Sequence, residues 1–245
     1  MKNSIITLFL ALVFTPCFSQ DFYGQNYFYG TTYQADLKGT IRGVYYRSVR
    51  KTILDKALFI GDISTDYPAS WVTNYESTLI VAICGGKVKK AVGENASLSP
   101  AQKNILKNAD LNTDIRIEVQ YKSENAATRM LETNKMDFTL TVVPEVEAVY
   151  SGGEKQLTEY LAANVIAKIS DKIAKKDQQG IISFVVNKKG SVVETEVQET
   201  FGDSKLDQVL LDALYKMPKW KPAQSSTGVN VEQKFELIVG NRMGC

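Results

Sequence analysis

Histidine is absent from all 245 residues, which removes the commonest general base and the commonest metal ligand together. Glu145 with Glu147, and Glu194 with Glu196, have the two-residue spacing that puts both side chains on one face of a strand, as a carboxylate dyad would need. They alternate with Val146 in the first case and with Val193, Thr195 and Val197 in the second, so they read as the wet side of a half-buried strand. Cys84 and the C-terminal Cys245 could join in a disulfide in an oxidising compartment; otherwise Cys84 reads as a buried strand residue. These groups point to no catalytic residue, metal site, cofactor or small-molecule substrate, and an enzyme is not expected.

Charge narrows the partners further. With 29 Lys and Arg against 27 Asp and Glu, the net charge is +2. Phosphate recognition needs a clustered basic excess, so nucleic acid is not expected as a partner. The short basic pieces Arg42 to Lys51 and Lys172 to Lys176 read as solvated faces.

The elements that would position any site are clearest in the last third. Leu206, Val209, Leu210, Ala213, Leu214 and Met217 fall at the i, i+3, i+4, i+7 spacing of one helical face, with Asp203 or Ser204 as cap. Pro218 cannot continue the backbone ladder and pushes Met217 out of the helical region, which predicts a stop there. Upstream, Ile181 to Val186 and Val192 to Thr200 are β-branched runs joined by Asn187-Lys188-Lys189-Gly190, a hairpin with Gly where a left-handed residue is needed. Downstream, Val229, Val231, Gln233, Phe235, Leu237 and Val239 alternate along one extended segment.

This order of strand, strand, helix, strand, with Gly180 to Ser191 reading GIISFVVNKKGS and Met217 to Ala223 reading MPKWKPA, resembles the TonB C-terminal domain. Tyr150-Ser151-Gly152-Gly153-Glu154, then Leu157 and Tyr160-Leu161-Ala162-Ala163-Asn164, resemble the opening helix of TonB-like proteins, so the likeness covers about residues 145–240. It departs at Ser151, where the family usually has Pro, and at Val165-Ile166-Ala167-Lys168, where a Tyr-Pro is replaced and the first helix is expected to run on. The resemblance implies that the last strand is an open edge pairing by strand addition with a segment of an outer-membrane TonB-dependent receptor. Val229, Asn230, Val231, Glu232, Gln233, Lys234 and Phe235 would form that strand, and polar Gln233 and Lys234 suit an exposed edge. Gly190, Pro218, Lys219, Trp220 and Pro222 would be architectural, shaping the turn that feeds it.

An energy transducer of this family also needs a retained membrane helix and a long proline-rich spacer, yet six prolines are spread along the whole chain. Lys2 and the apolar run Ile5 to Phe14 suit a signal peptide over residues 1–19, with Cys17 and Ser19 before a cut at Gln20. A periplasmic location is therefore expected; the alternatives are a lipid anchor at Cys17 or a retained N-terminal anchor.

The expected fold is α+β in two domains. Phe22 to Gly30 forms an aromatic N-terminal segment within 20–30, a binding segment or a first strand. Residues 31–144 form a small strand-rich domain, with a sandwich as its expected architecture. Its strands are Thr78 to Cys84, Lys87 to Val92, Ile115 to Tyr121 and Asp137 to Val143, with a turn at Gly85-Gly86, a helix over 100–109 capped by Ser99, and a looser helical pattern over Val44 to Phe59. Residues 145–245 form the TonB-like domain of helix, two-stranded hairpin, helix and strand. Two function classes follow: a periplasmic peptide-binding protein engaging outer-membrane receptors or other periplasmic proteins, or a non-catalytic scaffold of the cell envelope. A homodimer through sheet edges is compatible with either.

Overall fold

The computed structural model describes residues 28–34, 37–43, 47–169 and 179–240. The signal-peptide segment, Phe22 to Tyr27 of the aromatic segment, Lys172 to Lys176 and Cys245 lie outside the described residues. The fold is mixed α+β and strand-rich, with few helices. In chain order the elements are β1 (Phe28–Gln34), β2 (Leu37–Gly43), β3 (Ser48–Arg50), α1 (Lys51–Lys56), β4 (Asn74–Cys84), β5 (Lys87–Gly93), α2 (Pro100–Asn108), β6 (Asp114–Glu124), β7 (Leu131–Val143), β8 (Val149–Tyr150) and α3 (Gly153–Leu161). A π-helical turn (Ala162–Ile166) carries α3 into the short α4 (Ala167–Ile169), followed by β9 (Gln179–Val186), β10 (Val192–Glu199), α5 (Ser204–Tyr215), β11 (Trp220–Lys221), β12 (Ala223–Gln224), β13 (Asn230–Val231) and β14 (Gln233–Gly240).

Two five-stranded sheets carry the fold: β3-β7-β6-β4-β5, and β1-β2-β14-β9-β10. The first corrects the sandwich expectation, because it is one sheet covered on one face by helices. Ile115, Ile117, Val119 and Tyr121 of β6 are buried while Arg116 and Gln120 are exposed. Alternation of this kind needs a cover on one side only. Leu54 of α1, Ile105 and Leu106 of α2, and Ile60, Ile63 and Leu98 supply it. The expected helix within 44–59 is the six-residue α1.

Polar contacts pin this cover. Ser99 caps α2 reciprocally with Gln102: the Ser99 hydroxyl accepts from the Gln102 amide at 3.2 Å, and Gln102 Oε1 accepts from the Ser99 amide at 2.9 Å. The fully buried Gln102 side chain also donates to Thr78 Oγ1 of β4 at 3.0 Å. Lys51 of α1 donates through Nζ to the carbonyls of Leu106, Lys107 and Ala109, at 2.9, 2.6 and 3.1 Å, satisfying the C-terminal end of α2. Burial lowers its pKa. At the β4–β5 turn, Gly85 and Gly86 have φ of 59° and 70°, and their amides donate to Asp110 at 2.9 and 2.8 Å.

The second sheet takes in β1 and β2, so residues 31–34 and 37–43, expected in the first domain, pair within the C-terminal sheet instead. Its buried face, Ile41, Ile182, Phe184, Val186, Phe235, Leu237 and Val239, packs against Leu157, Leu161 and Val165 of the first helical segment and Leu206, Leu210 and Leu214 of α5. The first helix does run on past Leu161, through the π turn and α4.

The amides of Gly86 and Gly85 hold the Asp110 carboxyl below its ordinary value of 3.8. A depressed folded pKa contributes stability above the unfolded value and loses it as pH falls through the folded one. Asp110→Asn should therefore unfold at lower urea than the native chain at pH 7, with the gap closing below about pH 4; equal midpoints at pH 7 would count against the turn's dependence on this carboxylate.

Candidate functional site

β9 and β10 form the hairpin, and Gly190 in its turn has φ 78°. The turn is also a contact: a Cβ on Gly190 would overlap the Trp220 carbonyl oxygen, and the Trp220 amide donates to the Gly190 carbonyl at 2.8 Å. Trp220 is 2% exposed. Its ring meets Tyr150 edge-on at 5.7 Å and Phe235 at 5.1 Å, and Phe235 stacks on Phe184 at 5.6 Å. Its indole N–H donates to Met217 Sδ at 3.3 Å. Pro218 and Lys219 are exposed after the end of α5, and Pro222 is half-buried between β11 and β12.

The strand proposed to pair with a partner is not a free edge. β14 is hydrogen-bonded on both sides: Gln233 to Gly240 pair with β9, and Phe235 to Gly240 pair antiparallel with β2, from Phe235 opposite Gly43 to Gly240 opposite Lys38. An Arg42–Glu236 ion pair at 3.0 Å lies across that second ladder. Where β2 ends, Asn112 takes over. Its side-chain amide donates to the Glu232 carbonyl at 3.0 Å and its Oδ1 accepts from the Lys234 amide at 3.4 Å, standing in for one residue of a neighbouring strand. Asn112 reaches this place with φ 58°, a conformation Asn tolerates well.

Nor is Gln233 a polar residue on a wet edge. It is 1% exposed, accepts from the Ala148 amide at 2.7 Å and donates to Glu147 at 2.9 Å. Glu147 is thus not on the wet side of a strand: burial raises its pKa, and the Gln233 hydrogen bond moderates the rise. Glu145 lies in a bend and accepts from Thr52 Oγ1 of α1 at 2.7 Å. Val229, Asn230, Glu232 and Lys234 are exposed, Val231 is half-buried and pairs with Ala223, and Phe235 is buried. The single expected strand is broken at Glu232 into β13 and β14.

Glu194 and Glu196 are exposed on β10, where register breaks at 193–196 and 197–199 and Glu194 has φ 50°. Bulges of this kind bend and twist an edge strand away from new partners. Cys84 is a half-buried free thiol whose Sγ donates to the Ile105 carbonyl at 3.5 Å. A hollow of about 320 Å³ is lined by Thr52, Ile53, Lys56, Ala57 and Asp62, but its carboxylate already accepts the Leu58 and Phe59 amides. Among the described residues, no group of three or more Cys, Asp or Glu side chains is gathered as metal ligands would be, and no helix is long and apolar enough to cross a membrane.

Sequence reasoning missed β2 and Asn112. The run Leu37 to Gly43 reads LKGTIRG, with two glycines and two basic residues, a weak strand signal. No family model, curated protein or solved structure matches the chain.

Gly190 and Gly86 separate conformation from contact. Both are left-handed, but a Cβ on Gly86 would meet nothing within 4 Å. Gly86→Ala should cost about 1–2 kcal/mol in urea unfolding, and Gly190→Ala at least ~3 kcal/mol because the Trp220 backbone must also move. Equal costs would remove the contact as the cause.

Proposed function

We propose that this chain is an exported, non-catalytic protein-interaction module of the periplasm, with a TonB-like C-terminal domain whose strand-addition edge is filled by its own N-terminal hairpin. The observation that carries this reading is the antiparallel β2–β14 ladder over Phe235 to Gly240. An added partner strand would use the same backbone groups. The order α3, β9–β10, α5, β14, the MPKWKPA turn wrapped on Gly190 and the aromatic cluster around Trp220 support the TonB-like part. The signal-like N-terminus supports export.

With the edge filled, a scaffold role in the cell envelope is the leading reading. The second reading, engagement of outer-membrane TonB-dependent receptors by β14, requires β1–β2 to leave first. What favours keeping it is connectivity: β1 and β2 form a hairpin at one side of the sheet, and β14, β9 and β10 remain paired to one another without it.

A disulfide lock separates the two. Arg42 and Glu236 face each other in register and both reach solvent, so an Arg42→Cys, Glu236→Cys variant can be closed by oxidation and opened by reduction. The scaffold reading expects that an extended periplasmic segment of a transport receptor binds neither form, as measured by fluorescence anisotropy. Binding to the reduced form and not to the oxidised form would establish hairpin release and receptor engagement instead.

A further inference from the structure

We propose that β5, at the edge of the other sheet, is a second recognition surface that takes an extended segment alternating acidic and aliphatic residues, by strand addition. β5 pairs with β4 over its whole length without a bulge, from Lys87 opposite Cys84 to Gly93 opposite Thr78, and no strand among the described residues pairs with its other side. Of the other edges, β3 is three residues long, β1 has a register shift between Phe28 and Gly30 and lies against α3, and β10 is broken by two bulges. A straight run of unpaired backbone groups is the template that strand addition needs.

Its side chains state the chemistry of the occupant. Lys87, Lys89 and Lys90 are exposed, residues 87–93 contain no acidic residue, and no ion pair among the described residues engages any of the three lysines. The nearby Asp110 carboxylate is held by the Gly85 and Gly86 amides. On one face Val88 and Val92 are 71% and 65% exposed, directly opposite the half-buried Ile83 and Leu79, with Lys90 opposite Val81 between them. The face continues onto β6 and β7 as an ion-paired surface, where Arg116 and Lys135 hold Glu118 and Asp137. An added strand would therefore meet cations on one side of its backbone and a mainly aliphatic strip on the other, which a period-two acidic and aliphatic sequence matches.

Lysines on an edge commonly serve to prevent pairing with another copy. They oppose pairing of β5 with a second β5, but that role does not require two strongly exposed valines beside them. The chain also adds an extended segment of its own just past this strand, where Ile60 donates to Ala96 and Leu98 donates to Leu58, both at 2.8 Å. Among the described strands, residues 87–93 keep one edge unpaired, while on the face they share with Lys87 and Lys89, Ala91 and Gly93 are buried beneath α2. This surface lies in a different sheet from β14, so it stands or falls apart from the C-terminal edge.

The test uses the full chain and a short dye-labelled peptide of alternating Glu and Val. The proposal expects saturable binding that weakens as salt is raised toward about 0.5 M, with slowed amide hydrogen exchange confined to residues 87–93. Lys87→Glu, Lys89→Glu, Lys90→Glu together, all exposed positions, should weaken binding at least ~10-fold and create binding to the matching Lys and Val peptide. Val88→Thr with Val92→Thr should weaken the native complex about 3-fold or more, with circular dichroism unchanged for both variants. Absence of binding by the folded native chain, protection outside 87–93, or lysine-dependent binding to anionic phosphatidylglycerol vesicles without binding to the peptide would each overturn it.

Discussion

A central strand needs hydrogen-bond partners on both sides, and the last strand of this chain finds one of them almost two hundred residues away. β14 lies between β9, its near neighbour in sequence, and β2, near the start of the described residues. Buried backbone amides and carbonyls without partners are costly, so the C-terminal sheet is completed only when β2 and β14 have met. That closure joins β2 to the last described strand. It also places Ile41 in the core formed by α3 and α5. Long-range closure of this kind pays its loop entropy before the contacts repay it.

The site that the resemblance proposed is thus reshaped by what surrounds it. β2 covers Phe235 to Gly240, the Asn112 side chain covers Glu232 and Lys234, and Gln233 turns inward to Ala148 and Glu147. Asn112, just before β6 of the first sheet, thereby ties that sheet to the last strand of the second. The stretch expected to be most available to a partner is the joint of the chain. A regular run with one side unpaired is β5 instead, and Lys87, Val88, Lys89, Lys90 and Val92 are exposed on it.

Much of the C-terminal half was legible because its signals are local. The caps and apolar spacing of α5, the hairpin with Gly190, the stop at Pro218 and the alternation of Phe235, Leu237 and Val239 each depend on residues a few positions apart. In the first half the strand positions and the Ser99 cap followed from the same kind of pattern. The sandwich expectation failed because short helices such as α1, six residues long, leave little periodic trace, and strand count alone does not say whether a second sheet or a helical layer covers the first.

Sequence by itself determined the local elements, the turn chemistry and the absence of histidine, because each rests on residue type and short spacing. Tertiary structure decided which strands are edges, that Gln233 and Glu147 are drawn inward, that Asn112 acts as a strand partner and that residues 37–43 belong to the last sheet. Alternation along a strand records which face is buried and carries no record of what pairs beside it. Pairing partners are chosen by contacts that close over long stretches of chain, and no short window of residues contains them.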